Sequence, residues 1–324
     1  MLKMQSFKRL LVWTLFLTLL LSIYLFRSSQ PVKEAKLFLP ELQGKVDHFD
    51  HIQIKMAETE WHIEKNNNRW VIKNKAGIEV NVAWLRELVQ GLLTMKIVEP
   101  KTQNPNAFAS IQVDLPNHAE AKGIQVEVFD KNNQALLNIV IGKRQARPTN
   151  PIDQLIFVRK VDESQSYLVE SHLPEGFELN DVAKENLLAF QNEKIKRIKL
   201  HGPDEGFVLK RESEEESFKI ITQNKENLKT SYIANDLVEE LETFKLKDIL
   251  PRESQNLDWE KAVKLSIKTF KGNQYTLSFL NQKDKIFISV PSYPDWLFVS
   301  DKGIYDKIGI KESDLLEALP LSIS

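Results

Sequence analysis

Cysteine is absent from this 324-residue chain. That excludes disulfide frameworks, thiolate zinc sites, cysteine nucleophiles and a lipidated cysteine near the start, while fitting any redox compartment. A dominant charge sign is missing too, with 44 Lys and Arg against 45 Asp and Glu. Four of those bases, Lys3, Lys8, Arg9 and Arg27, lie in the first 27 residues, which contain no acid, so the rest of the chain is net acidic. A body built to bind a polyanion is usually basic overall, so nucleic acid is not an expected partner. Long Gly/Ser linkers and low-complexity tracts are also missing. What is present, 42% apolar and 27% charged residues, is enough for a globular core and argues against disorder. The length fits roughly two domains.

Leu10 to Phe26 reads LLVWTLFLTLLLSIYLF, without a charge. A helix of that length covers about 25 Å, near the lower limit for a membrane span. Trp13 and Tyr24 near its ends suit the headgroup region. A cleaved signal peptide is the competing reading, but the exit Ile23-Tyr24-Leu25-Phe26-Arg27-Ser28-Ser29 lacks an A-x-A-like pair. A single-pass anchor is therefore expected. Lys3, Lys8 and Arg9 precede the run, while Arg27, Lys33 and Lys36 follow it. The terminal amine and the closeness of Lys8-Arg9 tip the orientation toward an N-terminus inside. The expected organisation is a cytoplasmic tail over 1–9, a transmembrane anchor over 10–26 and a juxtamembrane segment over 27–48. Two extracytoplasmic units follow over 49–190 and 191–324, which places the bulk of the chain on the periplasmic side of the inner membrane.

The body carries an internal duplication. Ile52-x-Ile54, Trp61-x-Ile63 and Arg69-Trp70-Val71-Ile72 read as strands, with Asn66-Asn67-Asn68 as a turn. Leu85, Leu88, Val89, Leu92 and Leu93 then form one helical stripe, N-capped by Asn81. Residues 195–251 repeat this order. Ile198 and Phe207 match Ile52 and Trp61 at an offset of 146, and Phe218 matches Trp70 at 148. Leu237 and Phe244 match Leu85 and Leu92 at 152, and Pro251 matches Pro100 at 151. Offsets that change only at turns are the mark of a duplicated unit with loop insertions.

Later, Ile124 to Phe129 and Val263 to Phe270 both alternate, turn and return. Ile156-Phe157-Val158 is paired with Leu297-Phe298-Val299, and Tyr167 with Tyr305. Leu179 to Phe190 reads as a joining helix, and Ser313 to Leu319 as a last short one. The expected class is α+β: two tandem units of antiparallel β-hairpins, each with a packed helix, after an N-terminal transmembrane helix. A doubly wound nucleotide fold is disfavoured.

The order of these signals resembles the bacterial family catalogued as domain of unknown function 4340. The matching residues are Leu37 to Leu42, Ile52-x-Ile54, Trp70-Val71-Ile72, the Leu85–Leu93 helix and Lys96-Ile97-Val98-Glu99. Ile141-Gly142-Lys143, Phe157-Val158-Arg159 and Tyr167-Leu168-Val169 continue the series. One segment departs. Where the family has a Gly in a Leu/Gly/Leu-type stretch before a proline, this chain has Ala109-Ser110-Ile111-Gln112-Val113-Asp114-Leu115-Pro116. The resemblance implies a membrane-anchored envelope component, often encoded beside ABC-type exporters with a gliding-motility-like extracytoplasmic subunit. It implies no agreed activity and supplies no catalytic residues.

Candidate chemistry in the residues is sparse. His48 and His51, beside Asp47 and Asp50, could share a metal on a helix, but the segment is entering a strand, where positions three apart face opposite sides. Gly142-Lys143 lacks the rest of a phosphate-loop pattern and reads as a strand running into a turn. Glu212 to Glu216 reads as a solvated hairpin tip, and Asp258 with Glu260 lacks a second motif that would make it an acid–base pair. Trp61, Trp70, Phe207 and Phe218 read as sheet core rather than a stacking platform. Trp84, and Trp296 in a loop after Pro294, are the better surface candidates. No enzyme activity, catalytic residue, metal or cofactor is expected. The first expectation is a non-catalytic accessory or scaffold of an envelope transport system, partnered with the membrane and with envelope or exporter proteins. The alternative is a ligand- or glycan-binding module with a cleft between the units lined by Lys143, Arg159 and Trp296.

Overall fold

A computed structural model describes residues 36–146, 154–184, 188–202, 206–221, 232–283 and 285–308. The first half runs β1 (His51–Lys55), β2 (Glu60–Asn66), β3 (Arg69–Ile72), β4 (Ile78–Glu79), helix α1 (Val82–Thr94) and β5 (Lys96–Pro100). Then come β6 (Ile124–Phe129), β7 (Ala135–Ala146), β8 (Gln154–Lys160) and β9 (Ser166–Ser171). After a short helix α2 (Leu179–Val182), the second half runs β10 (Ile195–His201), β11 (Gly206–Lys210), β12 (Lys219–Ile221), α3 (Tyr232–Thr243) and β13 (Asp248–Pro251). It closes with β14 (Val263–Thr269), β15 (Gln274–Gln282), β16 (Lys285–Ser289), β17 (Trp296–Ser300) and α4 (Lys302–Ile308).

The described strands form two antiparallel sheets in the orders β4-β3-β2-β1-β6-β7-β8-β9-β5 and β12-β11-β10-β14-β15-β16-β17-β13. Apart from β4, the second order repeats the first strand for strand. Registers repeat as well: Ile52 opposes Ile63 and Ile54 opposes Trp61, as Ile198 opposes Leu209 and Leu200 opposes Phe207. Even a cation–aromatic contact recurs, with Lys65 over the Trp70 ring at 5.1 Å and Arg211 over Phe218 at 4.6 Å.

This corrects the expected α+β class. The chain is mostly β, because the hairpins of each half join edge to edge into one large sheet while the helices stay short. The expected N-terminal transmembrane helix is not supported either. Leu10 to Phe26 lies outside the described residues, and among those described no helix is long and apolar enough to cross a membrane. The final helix expected at Ser313 to Leu319 also lies outside them.

Three local readings change. The stretch from Leu179 is α-helical over Leu179–Val182, after which Ala183 bridges Val80 and Lys184 N–H donates to the Glu79 carbonyl at 2.8 Å, and Ala189–Asn192 is a 3-10 turn. The chain there extends the β4 edge instead of continuing a helix. The strand at Leu297 corresponds by sheet order to β9, while β8 corresponds to β16, whose Ile286-Phe287-Ile288 core carries no turn signal of its own. Tyr305 lies in α4, so it is not the counterpart of Tyr167. The helices align one turn differently from the sequence match. Buried Leu85, Leu88, Leu92 and Met95 are spaced as buried Ala234, Leu237, Leu241 and Phe244. A 3.6-residue period makes such a slip easy, since i and i+3 share a face.

Asn81 does cap α1, its side chain accepting from Ala83 N–H at 3.0 Å and Trp84 N–H at 3.3 Å. Gly91 lets that helix lie against the chain after β9, where a Cβ would come within 2.2 Å of the His172 carbonyl oxygen. The inner faces of both sheets feed one contiguous core, from Ile52, Trp61 and Leu88 to Leu209, Leu237 and Phe279. Both sheets belong to one compact unit beginning at Phe38. Lys75 joins them, its ammonium bonded to the Asp248 carboxylate and, at 3.1 Å, to the Ile249 carbonyl. Asn180 Nδ2 donates to the Leu246 carbonyl at 2.6 Å.

Candidate functional site

Lys143 is exposed on β7, inside the bulge between Ile141 and Arg144. Gly142 sits in that bulge because loop 101–123 presses on it: a Cβ would lie 2.5 Å from the Ile111 carbonyl oxygen. The Gly142-Lys143 pair is thus a strand irregularity. Arg159, on β8, is 6% exposed. Its Nε donates to the Val113 carbonyl at 3.2 Å, and its Nη1 faces the carbonyls of Lys160, Val161 and Glu163 at 3.1–3.2 Å. Its guanidinium lies 4.6 Å over the Phe108 ring, and burial lowers its pKa against the opposing pull of Asp114. This arginine ties down loop 101–123. Trp296 is half-buried at the start of β17, opposite Pro251, and not in a loop. Lys143 and Arg159 lie on the first sheet and Trp296 on the second. Trp84 is buried, its Nε1 donating to the Gly176 carbonyl at 2.8 Å, so it is not a surface residue.

His51 stacks on Phe129 with ring centroids 4.6 Å apart. Among the described residues, no group of His, Asp and Glu is placed to hold a metal ion. Trp61, Phe207 and Phe218 are buried in the sheet core, and Trp70 packs against it half-buried.

Two cavities stand out. One of about 570 Å³ is lined by the β1–β2 turn, Ala121 to Ile124, Glu178, Leu179 and Lys247. The other, of about 650 Å³, is walled by Phe190, Tyr275, Leu277, Val290 and Tyr293. Burial first, and then the neighbouring Glu193 carboxylate, raise the Tyr275 phenol above its ordinary pKa. Glu193 itself is held low, chiefly by the Thr269 hydroxyl at 2.7 Å. Neither cavity is lined by Lys143, Arg159 or Trp296.

The outward face of the second sheet is the most distinctive surface. Lys219 opposes Lys210, Lys210 opposes Arg197 and Arg197 opposes Lys268, giving four cations in one row across β12, β11, β10 and β14. At about 4.8 Å between strands the row spans about 14 Å. The next row runs Ile221, Val208, Lys199, Ser266, and the third pairs His201 with Lys264. Arg197, Lys199, Lys219, Lys264 and Lys268 are exposed, and Lys210 is half-buried beside Glu212 at 2.6 Å. Like charges directly opposite each other cost about 0.2–1 kcal/mol per pair. The corresponding row of the first sheet is Val71, Glu64, His51 and Phe129, and nearby Lys55 pairs with Glu127 at 3.0 Å. Sequence reading missed this basic face. The alternating Lys264-x-x-x-Lys268 and Arg197-x-Lys199 signal it only once the strand pairing is known.

Fold and surfaces together define a duplicated antiparallel-sheet protein whose two outer sheet faces differ in charge. The sequence profile of the family described as Domain of unknown function (DUF4340) matches residues 70–262, and the chain belongs to that family. The match runs from β3 of the first sheet to the residue before β14 of the second. No curated protein and no solved structure matches the chain.

Proposed function

We propose that the chain is a non-catalytic accessory or scaffold protein of an envelope transport system, working on the extracytoplasmic side of the inner membrane beside an ABC-type exporter. One observation carries the scaffold part of this reading: the six most deeply buried polar residues among those described, Lys75, Arg159, Ser166, Ser171, Thr269 and Ser300, are all engaged in holding the framework. Lys75 joins the two sheets and Arg159 holds a loop. Ser166 donates to the Thr102 carbonyl at 2.8 Å, Ser171 to Gly91 at 2.7 Å and Ser300 to Lys245 at 3.0 Å, while Thr269 bonds Glu193. Polar groups spent on rigidity suit a body that presents fixed surfaces to partners. The exporter context rests on the family resemblance. Affinity purification of the full chain from detergent extracts, read by mass spectrometry, should enrich exporter subunits over an unrelated bait. If no envelope protein is enriched, the reading fails.

The 650 Å³ cavity favours a second reading, a ligand- or glycan-binding module. Tyr275 and Tyr293 offer ring faces and hydroxyls of the kind that sugars and aromatic ligands use. Calorimetric titration with soluble peptidoglycan fragments should give heat that Tyr293→Ala abolishes. A wild-type protein that gives none removes this reading.

A further inference from the structure

We infer that the outward face of β10, β11, β12 and β14 docks onto a bilayer surface rich in anionic phospholipid headgroups. This goes beyond the transport reading and needs no exporter partner. The first support is charge complementarity. Arg197, Lys199, Lys210, Lys219, Lys264 and Lys268 share one face, on which the strands themselves carry no acid. The whole chain carries a net charge of −1, so its attraction for anions is local to this face and orients the molecule.

The second support is the kind of cation. Five of the six are lysines, compact hydrated charges on flexible stems, which suit a diffuse anionic surface. Fixed recognition of a single phosphate or carboxylate favours the planar fork of arginine. The third support is an apolar pair next to the cations. Ile221 is 50% exposed and opposes Val208, so an apolar pair lies beside the Lys219–Lys210 pair and in the same row as Lys199. Apolar side chains at the acyl boundary with lysines reaching the headgroups are how interfacial elements sit on membranes. A single-stranded nucleic acid would want stacking rings, yet the outward residues described on β10, β11 and β14 include no Phe, Tyr or Trp. The like-charge rows also work against sheet stability, as expected where a surface is kept for binding.

The acidic turn Glu214-Glu215-Glu216 joins β11 to β12 beside this face and should weaken docking without setting its location. The test is co-sedimentation of the full chain with vesicles of phosphatidylcholine alone or mixed with phosphatidylglycerol. The apolar run Leu10 to Phe26 is common to all variants, so the readout is the anionic-to-neutral binding ratio. At low salt the ratio should be about tenfold or more and should shrink as salt rises. The combined Lys199→Gln, Lys210→Gln, Lys264→Gln and Lys268→Gln variant should bring it to about one. Gln at Lys45, Lys96, Lys122 and Lys131 should leave it unchanged. Tryptophan-fluorescence melts should show both variants folded, the first at least as stable as wild type. Replacing Glu215 and Glu216 by Gln should raise the ratio. The inference is overturned if wild type shows no anionic preference, if the four-lysine variant keeps it, or if the control loses it equally. It is overturned too if an acidic polysaccharide or single-stranded DNA at matched charge displaces the protein from vesicles.

Discussion

The two halves share strand order and inner-face registers but differ on the outer side, behind each sheet as seen from the core. Behind the first sheet, loop 101–123 lays Phe108 and Val113 on Val140, Phe157 and Leu168 under the clamp of Arg159. Behind the second, the shorter 252–262 stretch lays Leu257 and Trp259 on Phe287, Leu297 and Val299. Arg252 takes the clamp role there, bonded to the Pro294 carbonyl at 2.6 Å and lying 5.2 Å over the Trp259 ring. On the neighbouring strands of that same outer side, the first sheet is mixed in charge and the second is basic. Inner faces are fixed by close packing, where one methylene is felt. Outer faces and back loops carry no such constraint, so they are where a duplicated unit can diverge.

The largest expected difference lies in the clamps. Arg159→Leu leaves several carbonyls of a buried loop without their donor and should cost about 3 kcal/mol in urea unfolding. Arg252→Leu, whose bonds are partly solvent-exposed, should cost about 1 kcal/mol. Equal costs would mean that the two loops are held in some other way.

The first loop also contains strain that the second lacks. Gln112 sits at φ 61°, in the left-handed region that glycine favours. Gln112→Gly should stabilise the protein by about 1 kcal/mol, read as a higher urea midpoint at unchanged slope. A loss of stability would show that the Gln112 side chain makes up for its backbone.

On the outer faces, Lys268→Gln relieves a cation facing Arg197 and should gain about 0.5 kcal/mol. Glu127→Gln in the first sheet removes a partner of Lys55 and should lose about as much. Thermal melts at low salt would show the opposite signs, and high salt should shrink both.

The smallest effect is acid sensitivity near the start of the second sheet. The Thr269 hydroxyl, helped by Asn273 and Lys271, holds the Glu193 carboxyl below its ordinary value. A carboxyl lowered in the folded state stabilises above the ordinary carboxylate range, and that stability is lost as pH falls through it. Glu193→Gln should therefore lower the melting temperature slightly at neutral pH and flatten its fall on acidification. An unchanged acid limb would show that other carboxyls dominate it.

The sequence alone determined much of the framework. The duplication, the offset of 146 in the first hairpin, the Asn81 cap and the core roles of Trp61, Phe207 and Phe218 all follow from period and turn chemistry. These are local signals, and local signals survive in a single chain. Tertiary structure decided the rest. It merged hairpins into two large sheets, moved β8 against β16, ended a helix at Val182 with Ala183 beside Val80, and used Arg159 as a clamp. It also brought Lys219, Lys210, Arg197 and Lys268 into one row. Those residues lie on four strands, and neighbours across a sheet are set by register, which no single strand's alternation specifies.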